Sequence, residues 1–307
     1  MAKDKKKNDI INFLVDLMEK GDLPMSENNN IIDAIYNLVQ HPVLNITPHY
    51  SGKNRANNAG DALEEYIKDL FAGTFNMSED EREKRQKQVF SYLGNNNNPP
   101  DAMLKGGDAI EVKKIESANS PLQFNSSYPK QILSRDNPMI SKKCRDAESW
   151  DEKDMIYAVG VVKNDKLKCL AMVYGRDYCA NEGYYTRIRD TIERGVKSIP
   201  DVDFAPSKEL GRVNQVDPLG IVSMRVRGMW IIENPWKVFE DVYEMDFSKD
   251  FNFMCIINKA KWKTFANRKI LKDMAKKTPG FAIENITIKN PDNPASLTNA
   301  KLITYSQ

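Results

Sequence analysis

The sequence predicts a mixed α/β (α+β) fold, a central β-sheet flanked by helices. Three observations carry this. Met155-Ile156-Tyr157-Ala158-Val159-Gly160-Val161-Val162 is a nearly unbroken apolar run of strand length, as expected of a central strand buried on both faces. Around it lie segments with apolar residues at helical spacing, from Ile31 to Val39, Leu63 to Phe71 and Tyr184 to Ile199. The stretch from Pro99 to Lys114 reads as a β-hairpin, because Gly106-Gly107 accepts the positive φ of a tight turn.

The 307 residues, 41% of them hydrophobic and 29% charged, suffice for a sizeable core. No apolar run approaches the roughly 18 residues of a membrane span. The basic start, Met1 to Asn8, lacks the apolar stretch and cleavage site of a secretory signal. Cys144, Cys169, Cys179 and Cys255 are scattered without paired spacing, and His41 and His49 have no Cys or third His nearby. This pattern predicts a reducing cytoplasm and no zinc cluster. A net charge of +2 neither requires nor excludes a nucleic-acid partner; such a partner would need a local concentration of cations. No internal repeat or strong composition break divides the chain. The expectation is an N-terminal extension, 1–28, with one helix at Ile10 to Met18, and a single domain over 29–307.

In order, the chain offers a helix from Ile31 stopped by His41-Pro42, then a polar turn, Ser51 to Asn58, containing Lys53 and Arg55. Asn57 or Asn58 is placed to cap the next helix, whose apolar stripe is Leu63, Ile67, Leu70 and Phe71. Glu64 sits at the edge of that stripe, where it either faces a neighbouring cleft or is a solvated helix charge; Glu65 points further toward solvent. Ser78-Glu79-Asp80-Glu81 fits a capping box and starts a polar helix running to Tyr92 and closed by Gly94.

If Gly106-Gly107 is the turn, Ala102 lies opposite Glu111 and Asp101 opposite Val112. Side chains alternate along a strand, so Ile110 and Val112 enter a core while Glu111 and Lys113 share the other face. Taken singly, such charges are ordinary solvated features. Together, Asp101 and Glu111 are close enough to bind a divalent cation through oxygen, and Lys113 to polarise a water or offset phosphate charge.

After the hairpin, Glu116 to Ser127 is rich in Ser and Asn. With Tyr128-Pro129-Lys130 it is either a plain loop or a surface that reads polar edges and phosphates. Asn164-Asp165 predicts a turn and Leu167 to Tyr174 a returning strand. Residues 200–220 read as irregular. Ile221 to Ile232 reads as one strand with Ser223, Arg225 and Arg227 on one face. Arginine suits bidentate contact with guanine, although a salt-bridged exposed face has the same pattern. Phe251 to Ile257 predicts a strand, Lys259 to Lys277 a basic helix, and 281–289 and 301–305 two late strands joined by a Pro/Asn-rich link.

Pro100-Asp101 followed by Glu111-Val112-Lys113 resembles the signature of the PD-(D/E)XK nuclease superfamily, and Gly60, Leu63-Glu64 and Leu70-Phe71 resemble the acidic helix that precedes it in many members. The likeness is closer still. Asn54-Arg55-Ala56-Asn57, Gly60 to Tyr66, Phe90-Ser91-Tyr92-Leu93-Gly94-Asn95-Asn96, the hairpin, Asn125-Ser126-Ser127-Tyr128-Pro129-Lys130 and Arg225-Val226-Arg227-Gly228-Met229-Trp230 resemble the NgoPII family of type II restriction endonucleases, over roughly 30–235 and more weakly beyond.

That resemblance implies a PD-(D/E)XK nuclease core and Mg²⁺-dependent cleavage of double-stranded DNA at a short GC palindrome, GGCC or an interrupted form of it. It implies Asp101, Glu111 and Glu64 as metal ligands and Lys113 as the residue that positions the attacking water, with 5′-phosphate and 3′-hydroxyl products. Candidate DNA contacts are Lys53, Arg55, Asn125, Ser126, Ser127, Lys130, Arg225 and Arg227. A homodimer, a cognate DNA methyltransferase in the same system, and a prokaryotic cytoplasmic location follow from the same resemblance. Two rivals stand beside it: a structure-specific or repair nuclease on the same core, and a non-catalytic sequence-specific DNA-binding protein.

Overall fold

A computed structural model of the chain describes residues 29–51, 58–95 and 98–307. The helix expected at Ile10 to Met18, and Lys53 and Arg55, lie outside the described residues. The strands are β1 (Phe90–Asn95), β2 (Asn98–Leu104), β3 (Ala109–Ile115), β4 (Leu122–Asn125), β5 (Ile132–Ser134), β6 (Glu152–Lys163), β7 (Lys166–Tyr174), β8 (Gly211–Val213), β9 (Met224–Val226), β10 (Met229–Ile232), β11 (Asn252–Asn258), β12 (Phe281–Asn290) and β13 (Asn293–Ser306). A nine-stranded mixed sheet has the order β1-β2-β3-β6-β7-β11-β13-β12, with β5 paired to β6 outside that path. β3–β6 and β7–β11 are parallel, and the other neighbours are antiparallel. A parallel pair needs a long crossover. The one between β3 and β6 carries β4 and β5, and with them the Ser/Asn-rich segment.

Strand alternation divides the core into two layers. Ile110, Val112, Ile156 and Ala158 pack with helices α1 (Ile31–Gln40) and α2 (Ala59–Ala72) on one face of the sheet. Ala109, Met155, Tyr157 and Val159 pack on the other face with Phe124, Trp150, Tyr178 and Trp236. The central run from Met155 to Val162 is buried throughout, as its composition predicts. Asn58 is the cap of α2, accepting from the Gly60 and Asp61 amides, and Ser78 with Glu81 closes the capping box of α3 (Glu79–Val89). Asn164 and Asp165 both adopt positive φ between β6 and β7, the conformation a two-residue hairpin requires. At Gly175 a side chain is impossible: a Cβ there would stand 2.3 Å from the Lys130 carbonyl oxygen.

Four expectations are corrected. The polar helix does not reach Tyr92: it stops at Val89, and Phe90 starts β1, because Phe90 and Tyr92 are buried with period two against β2. The stretch Ile221 to Ile232 is two short strands, β9 and β10, which pair with different partners, β8 and β4, outside the main sheet. The basic helix breaks at Phe265, whose extended backbone and burial end α5 (Lys259–Thr264), before a 3₁₀ turn and α6 (Lys269–Met274). The Pro/Asn-rich link is mostly strand, since β12 and β13 form one long hairpin.

Candidate active site

The hairpin register differs by one residue from the expected one, and the difference matters. Ala102 pairs with Ile110 and Met103 with Ala109, a register that, continued by one step, sets Asp101 against Glu111 rather than Val112. A one-residue slip exchanges faces; here it brings both carboxylates onto the same side of the ribbon. The cause is a wider turn. Gly106 alone takes positive φ, the Gly107 amide donates to the Leu104 carbonyl, and the Leu104 amide donates to the Asp108 carbonyl at 2.9 Å. Beyond Ala102 the backbone ladder gives way, and the Asp101 side chain accepts from the Val112 amide at 2.7 Å.

Lys113 Nζ lies 2.6 Å from Glu111 Oε1 and 5.1 Å from the centre of the Phe124 ring on β4. Glu111 is 6% exposed, and its Oε2 is buried without a hydrogen-bond partner. Burial, and next the Glu111 charge, push the Asp101 carboxyl well above the usual carboxylate range. Burial acts to lower the Lys113 ammonium, but the Glu111 and Asp101 carboxylates outweigh it and hold the value up. Glu64 is half-buried on α2 and raised mainly by burial, with the Lys68 charge and, more weakly, the Lys113 charge opposing. The helix acid therefore stands within the electrostatic reach of the hairpin.

Glu65, expected further out, is instead locked in structure: it accepts from Arg82 at 2.5 Å and Lys68 at 2.8 Å, and Arg82 also donates to Asp69 at 2.7 Å. This separates the two neighbouring acids by measurement. Glu64→Gln should lower DNA cleavage with little change in thermal unfolding. Glu65→Gln should lower the melting temperature with little change in the rate per folded molecule. The reverse pattern would exchange their roles.

Among the described residues, no three His, Cys, Asp or Glu side chains stand together closely enough to hold a metal ion. Mg²⁺ does not demand such a cage. It keeps several waters and takes one or two carboxylates plus substrate phosphate. Facing carboxylates with one buried oxygen unpartnered are a donor set of that kind, so Asp101 and Glu111 fit this cation. A separate cavity of 510 Å³ at the turn end of the hairpin is crossed by Lys261, which pairs with Asp108 at 2.6 Å and Asp154 at 2.8 Å. There Lys261, Asp108 and Asp154 offset one another.

The candidate DNA contacts divide. Asn125 is exposed at the end of β4, and Ser126 is half-buried with its amide donating to the Gly228 carbonyl at 2.8 Å. Ser127 and Lys130 lie inside the molecule. Lys130 Nζ donates to Ser127 Oγ and to the Tyr128 carbonyl, and burial lowers its ammonium to about 8. In this conformation these two brace the segment behind Glu111 instead of presenting a surface. Arg225 and Arg227 are exposed, and both bond Glu209. Sequence pattern missed Glu209, which lies 16 residues before Arg225 in an irregular stretch. The only hint was that several arginines on one exposed strand call for a counter-charge.

A mixed sheet carrying an Asp, Glu-x-Lys hairpin with a helix acid at its side defines the class: a nuclease-like α/β core of the PD-(D/E)XK kind. The comparisons make it particular. The family model of the NgoPII restriction endonuclease matches residues 29–289. A curated relative, "Type II restriction enzyme NgoPII" of Neisseria gonorrhoeae, is 58% identical over 277 residues, which cover 90% of this chain and 99% of the relative. The chain belongs to the NgoPII restriction endonuclease family and is a type II site-specific deoxyribonuclease. This decides against both the repair nuclease and the non-catalytic binder. No solved structure matches the chain.

Proposed function

We propose that this enzyme cleaves both strands of double-stranded DNA at a short GC palindrome, GGCC being the first candidate, by Mg²⁺-dependent hydrolysis at Asp101, Glu111 and Lys113. The observation that carries the reading is the facing pair Asp101 and Glu111 with the Lys113 ammonium 2.6 Å from Glu111. Asp101 and Glu111 would hold the cation, with Glu64 joining directly or through water. Bound there, Mg²⁺ supplies Lewis acidity for the scissile phosphate and a lowered pKa for the attacking water. Lys113 stays protonated between the carboxylates, orients that water and offsets charge on the phosphate. The Lys113 ammonium also lies over the Phe124 ring of β4.

A palindrome is matched by a two-fold dimer with one centre for each strand. Exposed apolar side chains on the helix α4 (Glu182–Lys197), Tyr184, Ile188 and Ile192, and at Leu219 and Ile221, support association with a second copy. A cytoplasmic location and a cognate DNA methyltransferase protecting host sites complete the reading; no helix among the described residues is long and apolar enough to cross a membrane. The test is digestion of one sequenced plasmid with Mg²⁺ and mapping of both cut strands. Discrete cuts at one short GC palindrome, with 5′-phosphate ends, are expected. Random nicking, or cutting only at junctions and mismatches, would overturn the reading.

A further inference from the structure

We infer that Glu209 is a positioning residue for sequence recognition: one carboxylate gathers Arg225 and Arg227 into a double fork that reads two adjacent guanines. This rests on the GC-palindrome reading above and names how that site would be read. Arg225 Nε lies 2.7 Å from Glu209 Oε2, and Arg227 Nε lies 2.5 Å from Oε1. Each guanidinium thus spends its inner nitrogen on the carboxylate. Both bonds to Glu209 run through Nε, and the two terminal nitrogens are the pair that can donate to guanine O6 and N7. The arginines are about half exposed, at 52% and 51%, while the Glu209 side chain is only 11% exposed beneath them.

Spacing strengthens the case. Residues two apart on a strand are separated by about 6.8 Å, twice the roughly 3.4 Å rise between stacked base pairs. Both guanidiniums bonded to one carboxylate are drawn together toward the spacing of neighbouring guanines. A two-stranded β-ribbon is also an element the major groove admits. The ribbon β8–β9 carries a third cation, since Arg212 pairs directly across from Arg225, and like charges in that position repel. Glu209 is the acid that both Arg225 and Arg227 bond, and its platform is fixed. Its amide donates to Ser207 Oγ, Arg189 donates to the Lys208 carbonyl, and Lys208 reaches the Pro138 carbonyl at 2.7 Å. Ile188, Ile192 and Trp230 line a 130 Å³ cleft together with Glu209.

The experiment measures equilibrium binding of the full chain to three duplexes over a salt series without divalent cation: the mapped site, the site with one G·C pair replaced, and an unrelated sequence. Thermal unfolding shows that each variant is folded. Glu209→Ala should narrow the ratio between mapped and replaced sites roughly ten- to hundredfold, with binding to the unrelated duplex unchanged or tighter. Glu209→Gln, which keeps an acceptor and the shape, should narrow it less and serves if the alanine variant does not fold. An unchanged ratio in both overturns the inference. So does tighter binding to all three duplexes by one common factor, which would make Glu209 a mere competing counter-ion. Arg225→Ala and Arg227→Ala separate the two levels. If these leave the ratio intact, the guanine-reading role itself fails; if they narrow it while Glu209→Ala does not, only the positioning role fails.

Discussion

Asp101→Asn should lower the cleavage rate by more than about a thousandfold while raising the melting temperature of the metal-free protein by a few degrees. Both effects come from one cause. Asp101 faces Glu111 across the hairpin, and burial with that second charge holds its carboxyl well above the ordinary range. A carboxylate raised on folding contributes stability that is fully present below its unfolded value, near 4, and lost as pH rises through its folded value. At neutral pH the charged pair therefore costs stability that function demands. Asparagine keeps the shape and an acceptor for the Val112 amide but carries no charge. Melting curves in chelator across pH 4 to 8 check this: the advantage of the variant should grow as pH rises. A variant that melts below wild type at neutral pH, or cuts at the wild-type rate, contradicts it.

Lys113→Ala should cost cleavage on a similar scale but move stability the other way. Its ammonium lies 2.6 Å from Glu111 Oε1 and is held above its usual value by Glu111 and Asp101 despite burial. A lysine raised on folding contributes fully below its unfolded value, near 10.4, so the ammonium stays charged across neutral pH and the loss should deepen as the Asp101 charge it offsets develops. Removing it leaves Glu111 with both oxygens unpartnered beside Asp101, an unsatisfied buried acceptor costing about 1–3 kcal/mol. The paired prediction is more stringent than either half. Asparagine at 101 and alanine at 113 should both abolish cutting, with opposite shifts in melting. Shifts of the same sign would show that the two side chains do not share one electrostatic site.

Much of this arrangement was legible in residue order. The buried run at Met155 to Val162, the caps at Asn58 and Ser78, the turn at Asn164-Asp165 and the faces of Ile110 and Glu111 all follow from local chemistry, and the fold agrees. The hairpin register was not legible, because two adjacent glycines allow more than one turn and only the packing of Met103 and Ala109 selects the slip. Burial of Ser127 and Lys130 was hidden as well: a Ser/Asn-rich segment reads as surface until β4 pairs with β10. The pairing of Lys261 with Asp108 and Asp154 depends on partners more than a hundred residues away, and the break of the basic helix at Phe265 on the burial of that ring. Spacing sets Glu64 at the edge of the apolar stripe and Glu65 further out, but the ion pairs that hold Glu65 depend on where Arg82 and Lys68 lie.

The proposed hydrolysis turns on Glu111, whose Oε2 is buried without a hydrogen-bond partner. The direct measurement is single-turnover cleavage of a duplex carrying the mapped site, with enzyme and Mg²⁺ in excess, by Glu111→Gln. A rate lower by more than about a thousandfold, with DNA binding retained, is expected. Cleavage within a factor of about ten of wild type would contradict it.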